Sequence, residues 1–110
     1  MLNNTLENNI RVSDIDGVIE RNGNLFVLET KSPGASVPLG QKIMFENMWK
    51  AGYAHILILW GADNTYTRAR YYKRGESPVD IVLPEDSTAY VQALIQEWYV
   101  WSNKEENILV

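Results

Sequence analysis

The chain has no cysteine and a single histidine, His55. Without thiols there is neither a disulfide framework nor a thiolate zinc centre, and one imidazole argues against a histidine-rich metal site or a serine-type triad. Long apolar runs are also missing. No stretch approaches the roughly 20 residues a membrane helix needs, and the opening MLNNTLENNI has neither the basic start nor the apolar core of a signal peptide. An intracellular protein with no membrane contact is the expectation. Pro/Gly/Ser-rich linkers, repeats and low-complexity tracts are absent too, so the 110 residues read as a single domain with one core.

Positive charge is in short supply, with 10 Lys and Arg against 14 Asp and Glu and a formal net charge of −4. That balance argues against general adhesion to nucleic acid. The charge is unevenly placed, however. Arg68, Arg70, Lys73 and Arg74 fall together, and a local basic patch can grip phosphates on an acidic protein.

Asn22-Gly23 is the strongest short-range signal for a two-residue type I′ hairpin turn. It predicts paired strands over Ile10–Glu20 and Asn24–Lys31, the second of which carries the continuous apolar run LFVL of a strand covered on both faces. Ser32 to Ser36 reads as a loop, and Pro38 can open a helix that Gly52 ends. In that helix Gln41, Met44, Phe45 and Met48 form the inner stripe, with Lys42, Glu46 and Lys50 outside. AHILILW, from Ala54 to Trp60, is a buried strand, and strand–helix–strand at this spacing implies a right-handed crossover between parallel neighbours. Further strands are expected over Thr65–Arg74 and Val79–Leu83. A last helix begins near Asp86 or Ser87, with Val91, Leu94, Ile95 and Trp98 inward, and Lys104–Val110 forms a tail. The fold class is α/β, a central mixed β-sheet flanked by helices.

With Asn22-Gly23 as the loop, Gly17 pairs with Leu28, Asp16 falls opposite Glu29, and Asp14 falls opposite Lys31. Alternation puts all four on one face. Directly opposed Cβ atoms are about 5 Å apart, so two carboxylates there repel unless a cation lies between them, and oxygen ligands of this kind suit magnesium or manganese. Glu29 also follows FVL toward the middle of the sheet, where a carboxylate is costly unless paired or metal-bound. The plainer alternative is a solvated cross-strand charge cluster.

An acidic residue followed on the adjacent strand by Glu29-Thr30-Lys31 resembles the PD-(D/E)XK nuclease superfamily. The resemblance continues through LGQKIMFENMWKAGYAHILIL. There Gln41 matches a glutamine on the inner helix face in the Holliday-junction-resolvase-like and VRR-NUC-like branches. It covers roughly Asp14 to Leu59 and implies a minimal restriction-endonuclease-like core acting as a metal-dependent nuclease on DNA phosphodiester bonds. Asp16, Glu29 and the Thr30 backbone carbonyl would hold Mg²⁺, for which Mn²⁺ can substitute. Lys31 would stabilise the transition state or position the attacking water, and Gln41 would orient the water or a ligand. Ser13 stands where the superfamily often has proline, which leaves Asp14 open as the ligand, and a bulge would favour it over Asp16. Glu7 is a further candidate for the helix-borne carboxylate of resolvase-like members.

In the strand Thr65–Arg74, strict alternation puts Tyr66, Arg68, Arg70 and Tyr72 on one face, where guanidinium and phenol groups can hold phosphates and stack on bases. Lys73 and Arg74 extend that track, and the competing reading is an edge strand kept soluble by charge. His55 reads as a structural histidine. The aromatic run Trp98, Tyr99 and Trp101 offers more apolar surface than one helix face buries, consistent with a homodimer. The expected partner is DNA, branched or single-stranded. The alternative is a catalytically inactive nuclease-fold module that binds nucleic acid or a protein, for example a mobile-element inhibitor.

Overall fold

The structure is a computed structural model and describes residues 15–110. Glu7 and Asp14 lie outside the described residues. β1 (Gly17–Arg21) and β2 (Asn24–Lys31) form an antiparallel hairpin in the register the turn predicts, from Arg21 opposite Asn24 to Gly17 opposite Leu28. Asn22 and Gly23 have φ of 54° and 85°, the two positive values a type I′ turn requires. The Gly23 N–H is also taken by the Glu20 carboxylate at 2.8 Å.

After α1 (Leu39–Lys50), β3 (Ala54–Ala62) lies parallel to β2, so strand, helix and strand join parallel neighbours as expected. β4 (Thr65–Tyr72) and β5 (Val79–Val82) continue antiparallel, giving a five-stranded mixed sheet in the order β1-β2-β3-β4-β5. α2 (Ser87–Ser102) follows, with Asp86 as the cap: its carboxylate accepts the Ala89 N–H at 3.1 Å. Ser87, the other cap candidate, is buried and accepts the Tyr66 N–H at 3.0 Å, tying α2 to β4. No helix among the described residues is long and apolar enough to cross a membrane.

β3 is apolar without interruption because it is covered twice. Ala54, Ile56, Ile58 and Trp60 face α1, packed with Val27, Phe45 and Tyr72. Leu57 and Leu59 face α2 with Phe26, Tyr71, Val91 and Trp98. Phe45 is the only fully buried residue of α1, and Pro38 offers that helix no side-chain cap, so packing rather than capping holds it.

The expected tail is in fact a strap. A 3₁₀ turn at Glu105–Asn107 brings the chain end back over the hairpin, where the Leu109 N–H donates to the Asn22 carbonyl at 2.8 Å. The Asn24 amide donates to the Asn107 carbonyl at 2.8 Å.

Candidate active site

Glu29 and Lys31 occupy alternate positions of β2 on the α1 face, and β2 pairs them across β3 with Ile58 and Trp60. The Glu29 side chain is only 5% exposed and its carboxylate is the centre of the site. Lys31 Nζ lies 3.4 Å from Glu29 Oε2, and Gln41 Nε2 donates to that same oxygen from the first turn of α1. Gln41 reaches it because Phe45, one turn further on, anchors α1 against the sheet.

Asp16 sits immediately before β1 and is exposed. Its Oδ2 accepts both the backbone N–H of Thr30, at 2.7 Å, and the Thr30 hydroxyl, at 2.8 Å. These bonds, the backbone one foremost, hold the Asp16 carboxyl below its usual value. Glu29 moves the other way: burial first, then the hydrogen bond and charge of Asp16, raise it, and Lys31 offsets part of the rise. The two carboxyls therefore shift in opposite directions, Glu29 up and Asp16 down.

The oxygen donors at hand are of the type a hard divalent ion takes. The charge of Asp16 helps to raise the Glu29 pKa, and a cation near both carboxyls would relieve that repulsion. Thr30 aims its N–H at Asp16, and in an extended strand a residue's N–H and C=O project to the same side, so its carbonyl also points toward that carboxylate. Among the described residues no three His, Cys, Asp or Glu side chains converge on one point. Two carboxylates and a carbonyl suit Mg²⁺, which keeps several of its own waters, better than a closed all-protein cage would.

The basic strand is split by a β-bulge. The β3–β4 register shifts between Trp60 and Gly61, so Trp60 pairs with Arg68 but Gly61 with Tyr66, leaving Thr67 as the extra residue. Arg68, Arg70 and Tyr72 stay on the α1 face, whereas Tyr66 packs against the α2-side core. The expectation that all four share a face is corrected by that one inserted residue. Lys73 and Arg74 also leave the track. Lys73 pairs with Glu76 at 3.5 Å, and Arg74 stacks on Trp101 at 4.5 Å while donating to Asn107 Oδ1 at 2.9 Å and the Gly52 carbonyl at 3.2 Å. Arg74 thereby ties the strap to the turn before β3.

Two residues gain importance only in the structure. Trp60 lies on the face of Lys31, where its indole N–H donates to the Ala35 carbonyl at 2.6 Å and its ring carries the Arg68 guanidinium at 3.9 Å. Asp80 on β5 is paired opposite Arg70 and grips it with two bonds, 2.8 and 3.2 Å. The place of Trp60 at the end of AHILILW was the available signal for the first; for Asp80 there was none, since the β4–β5 register is not marked by a turn of fixed length. His55 lies on the α2 face against Trp101 and Tyr71, with ring centroids 4.5 and 6.2 Å away, far from the carboxylates in register and on the opposite side of the sheet. No protein-family model, no curated protein and no solved structure matches the chain.

Proposed function

We propose that the chain is a divalent-metal-dependent phosphodiesterase acting on DNA, with Asp16, Glu29 and the Thr30 carbonyl as metal ligands. The observation that carries this reading is the buried Glu29 carboxylate, whose Oε2 is contacted by both Lys31 and Gln41 while Asp16 is held at the neighbouring Thr30. A bound Mg²⁺ or Mn²⁺ would supply Lewis acidity and a water of lowered pKa. Gln41 fixes the rotamer of Glu29, and Thr30 fixes that of Asp16, so the ligand oxygens are oriented before substrate arrives. Lys31, 18% exposed and beside Glu29, places its ammonium where negative charge builds on the phosphate oxygens. One chain offers one such site, so cutting both strands of a duplex calls for a homodimer or two successive nicks.

The test is cleavage of labelled branched, single-stranded and duplex DNA with Mg²⁺ or Mn²⁺, compared with Glu29→Ala and Lys31→Ala. Each substitution is expected to lower the rate by about 10²-fold or more. Cleavage that survives both would remove the site.

The second reading, a module of the same fold that binds without turnover, rests on both carboxylates already having partners within the chain, Thr30 on Asp16 and Lys31 and Gln41 on Glu29. Calorimetric titration with Mn²⁺ separates the two, because a pair that needs no metal gives no saturable heat at neutral pH.

A further inference from the structure

Beside the carboxylates on the α1 face, a cavity of about 250 Å³ opens between the Ala35–Val37 loop, Lys42 of α1 and Trp60, Arg68, Arg70 and Tyr72 of the sheet. Three cations converge there on a protein whose formal net charge is −4. Among the described residues no carboxylate lies within ion-pair distance of Arg68 or Lys42. Trp60 builds the cavity twice over: its N–H holds the loop wall at Ala35, and its ring braces the Arg68 guanidinium from below. A stacked guanidinium keeps its N–H fork in one plane and free to donate, which is the geometry that matches phosphate oxygens. Arg70 reaches the same cavity with its charge answered by Asp80.

We propose that this cavity is a phosphate subsite for the backbone of a nucleic-acid strand, with Arg68 and Lys42 as its contacts, Trp60 as the residue that positions Arg68, and Asp80 as an attenuator that holds back Arg70. The placement rests on the phosphodiesterase reading in one respect, that the strand held here is the one presented to Glu29. Register supports it. Glu29, Ile58 and Arg70 are cross-strand neighbours, as are Lys31, Trp60 and Arg68, so two strand spacings, about 10 Å, separate Glu29 and Lys31 from the two arginines. That distance suits a phosphate along the same strand from the one over Lys31. The subsite's affinity is independent of any metal.

The experiment is fluorescence anisotropy with a labelled single-stranded oligonucleotide in EDTA across a salt series, so that no cleavage is needed for a signal. Arg68→Ala is expected to weaken binding about ten-fold and to reduce the salt slope by about 0.7, the release expected for one phosphate contact on a single strand. Arg68→Lys is expected to restore most of the slope, since it keeps the charge. Asp80→Asn is expected to tighten binding several-fold by freeing Arg70, and as an exposed edge substitution it reports even if Arg68→Ala impairs folding. Unchanged affinity and slope in Arg68→Ala, with Asp80→Asn also silent, would overturn the subsite while leaving the cleavage site standing. Binding lost in Arg68→Ala, in a protein that cleaves nothing with any metal, would uphold the subsite and sink the nuclease reading. Oligonucleotides with a 5′-phosphate and a 5′-hydroxyl are expected to bind equally. A preference for the 5′-phosphate that vanishes in Arg68→Ala would overturn the assignment to a backbone phosphate.

Discussion

Glu29 holds its carboxyl above the usual carboxylate range because burial and the neighbouring Asp16 both disfavour its charge. A group that binds its proton more tightly folded than unfolded costs stability as pH rises through its unfolded and then its folded pKa. Glu29→Gln, which keeps the shape and drops the charge, is therefore expected to melt higher than the parent in metal-free buffer at neutral pH, with the difference vanishing in acid. Melting curves at the two pH values check it. His55 behaves in the opposite sense. Burial, with Lys73 and Arg74 adding to it, lowers its pKa from 6.5 to about 4. Between those values the unfolded chain binds the proton and the folded one resists it, so the stability His55 contributes is whole above pH 6.5 and lost as pH falls toward 4. The shift corresponds to about 3 kcal/mol as an order of magnitude. His55→Phe retains the ring packing on Trp101 and is expected to flatten this acid limb, as read by denaturant titrations across that range.

At the scale of elements, the hairpin turn and the bulge at Gly61 each depend on a missing side chain. Gly23 has φ of +85°, and a Cβ there would come within 2.8 Å of Leu109 Cβ and 2.9 Å of Val110 Cγ1. Gly23→Ala is expected to cost about 1–2 kcal/mol, from the left-handed backbone alone, and to lift the strap besides. Hydrogen exchange at the Leu109 amide, which donates to Asn22, reports the second effect. At Gly61 a Cβ would meet the Thr65 carbonyl oxygen at 2.1 Å, so the β3–β4 bulge closes only around glycine. Phe45 is the one fully buried residue of α1, with Met44, Met48 and Trp49 packed beside it. Phe45→Ala is expected to cost about 3–5 kcal/mol and to release Gln41 from Glu29, so activity should fall more steeply than stability predicts. Urea titration together with the cleavage assay at a temperature well below the transition measures both.

For the whole molecule, the sheet divides the interior into two layers that carry different tasks. The α2 side is aromatic and closed, with Trp98 against Phe26 at 5.5 Å between ring centroids. The α1 side is apolar at its centre and opens at the ends of β2 and β3 into the carboxylates and the basic cavity. A ligand that binds only the folded chain raises its melting temperature by mass action. Saturating Mn²⁺ is expected to stabilise the protein at neutral pH, with the increment shrinking as pH falls and protons compete for Glu29. An equal increment in Glu29→Ala would place the ion elsewhere. The acidic total charge opposes nucleic acid at long range and salt screens that repulsion, so binding through the cavity is expected to fall with salt no more steeply than its few phosphate contacts dictate.

What was legible in the chain was local. Asn22-Gly23 set the hairpin register because a type I′ turn admits one pairing, as far as Gly17 opposite Leu28; Asp16 lies just beyond that pairing and bonds to Thr30. The apolar run from Ala54 to Trp60 implied a central parallel strand because only a strand covered twice is apolar on both faces. The stripe on α1 brought Gln41 to the same side through 3.6-residue periodicity. Tertiary structure decided the rest. A single extra residue, Thr67, reversed the face of Tyr66, and strict alternation carries no trace of a bulge. Asp80 met Arg70, and the strap enlisted Arg74, through partners that no local pattern links. Carboxylate placement follows from backbone geometry over a dozen residues. Which cations remain free to meet a phosphate depends on pairings between distant segments, and those exist only once the sheet has closed.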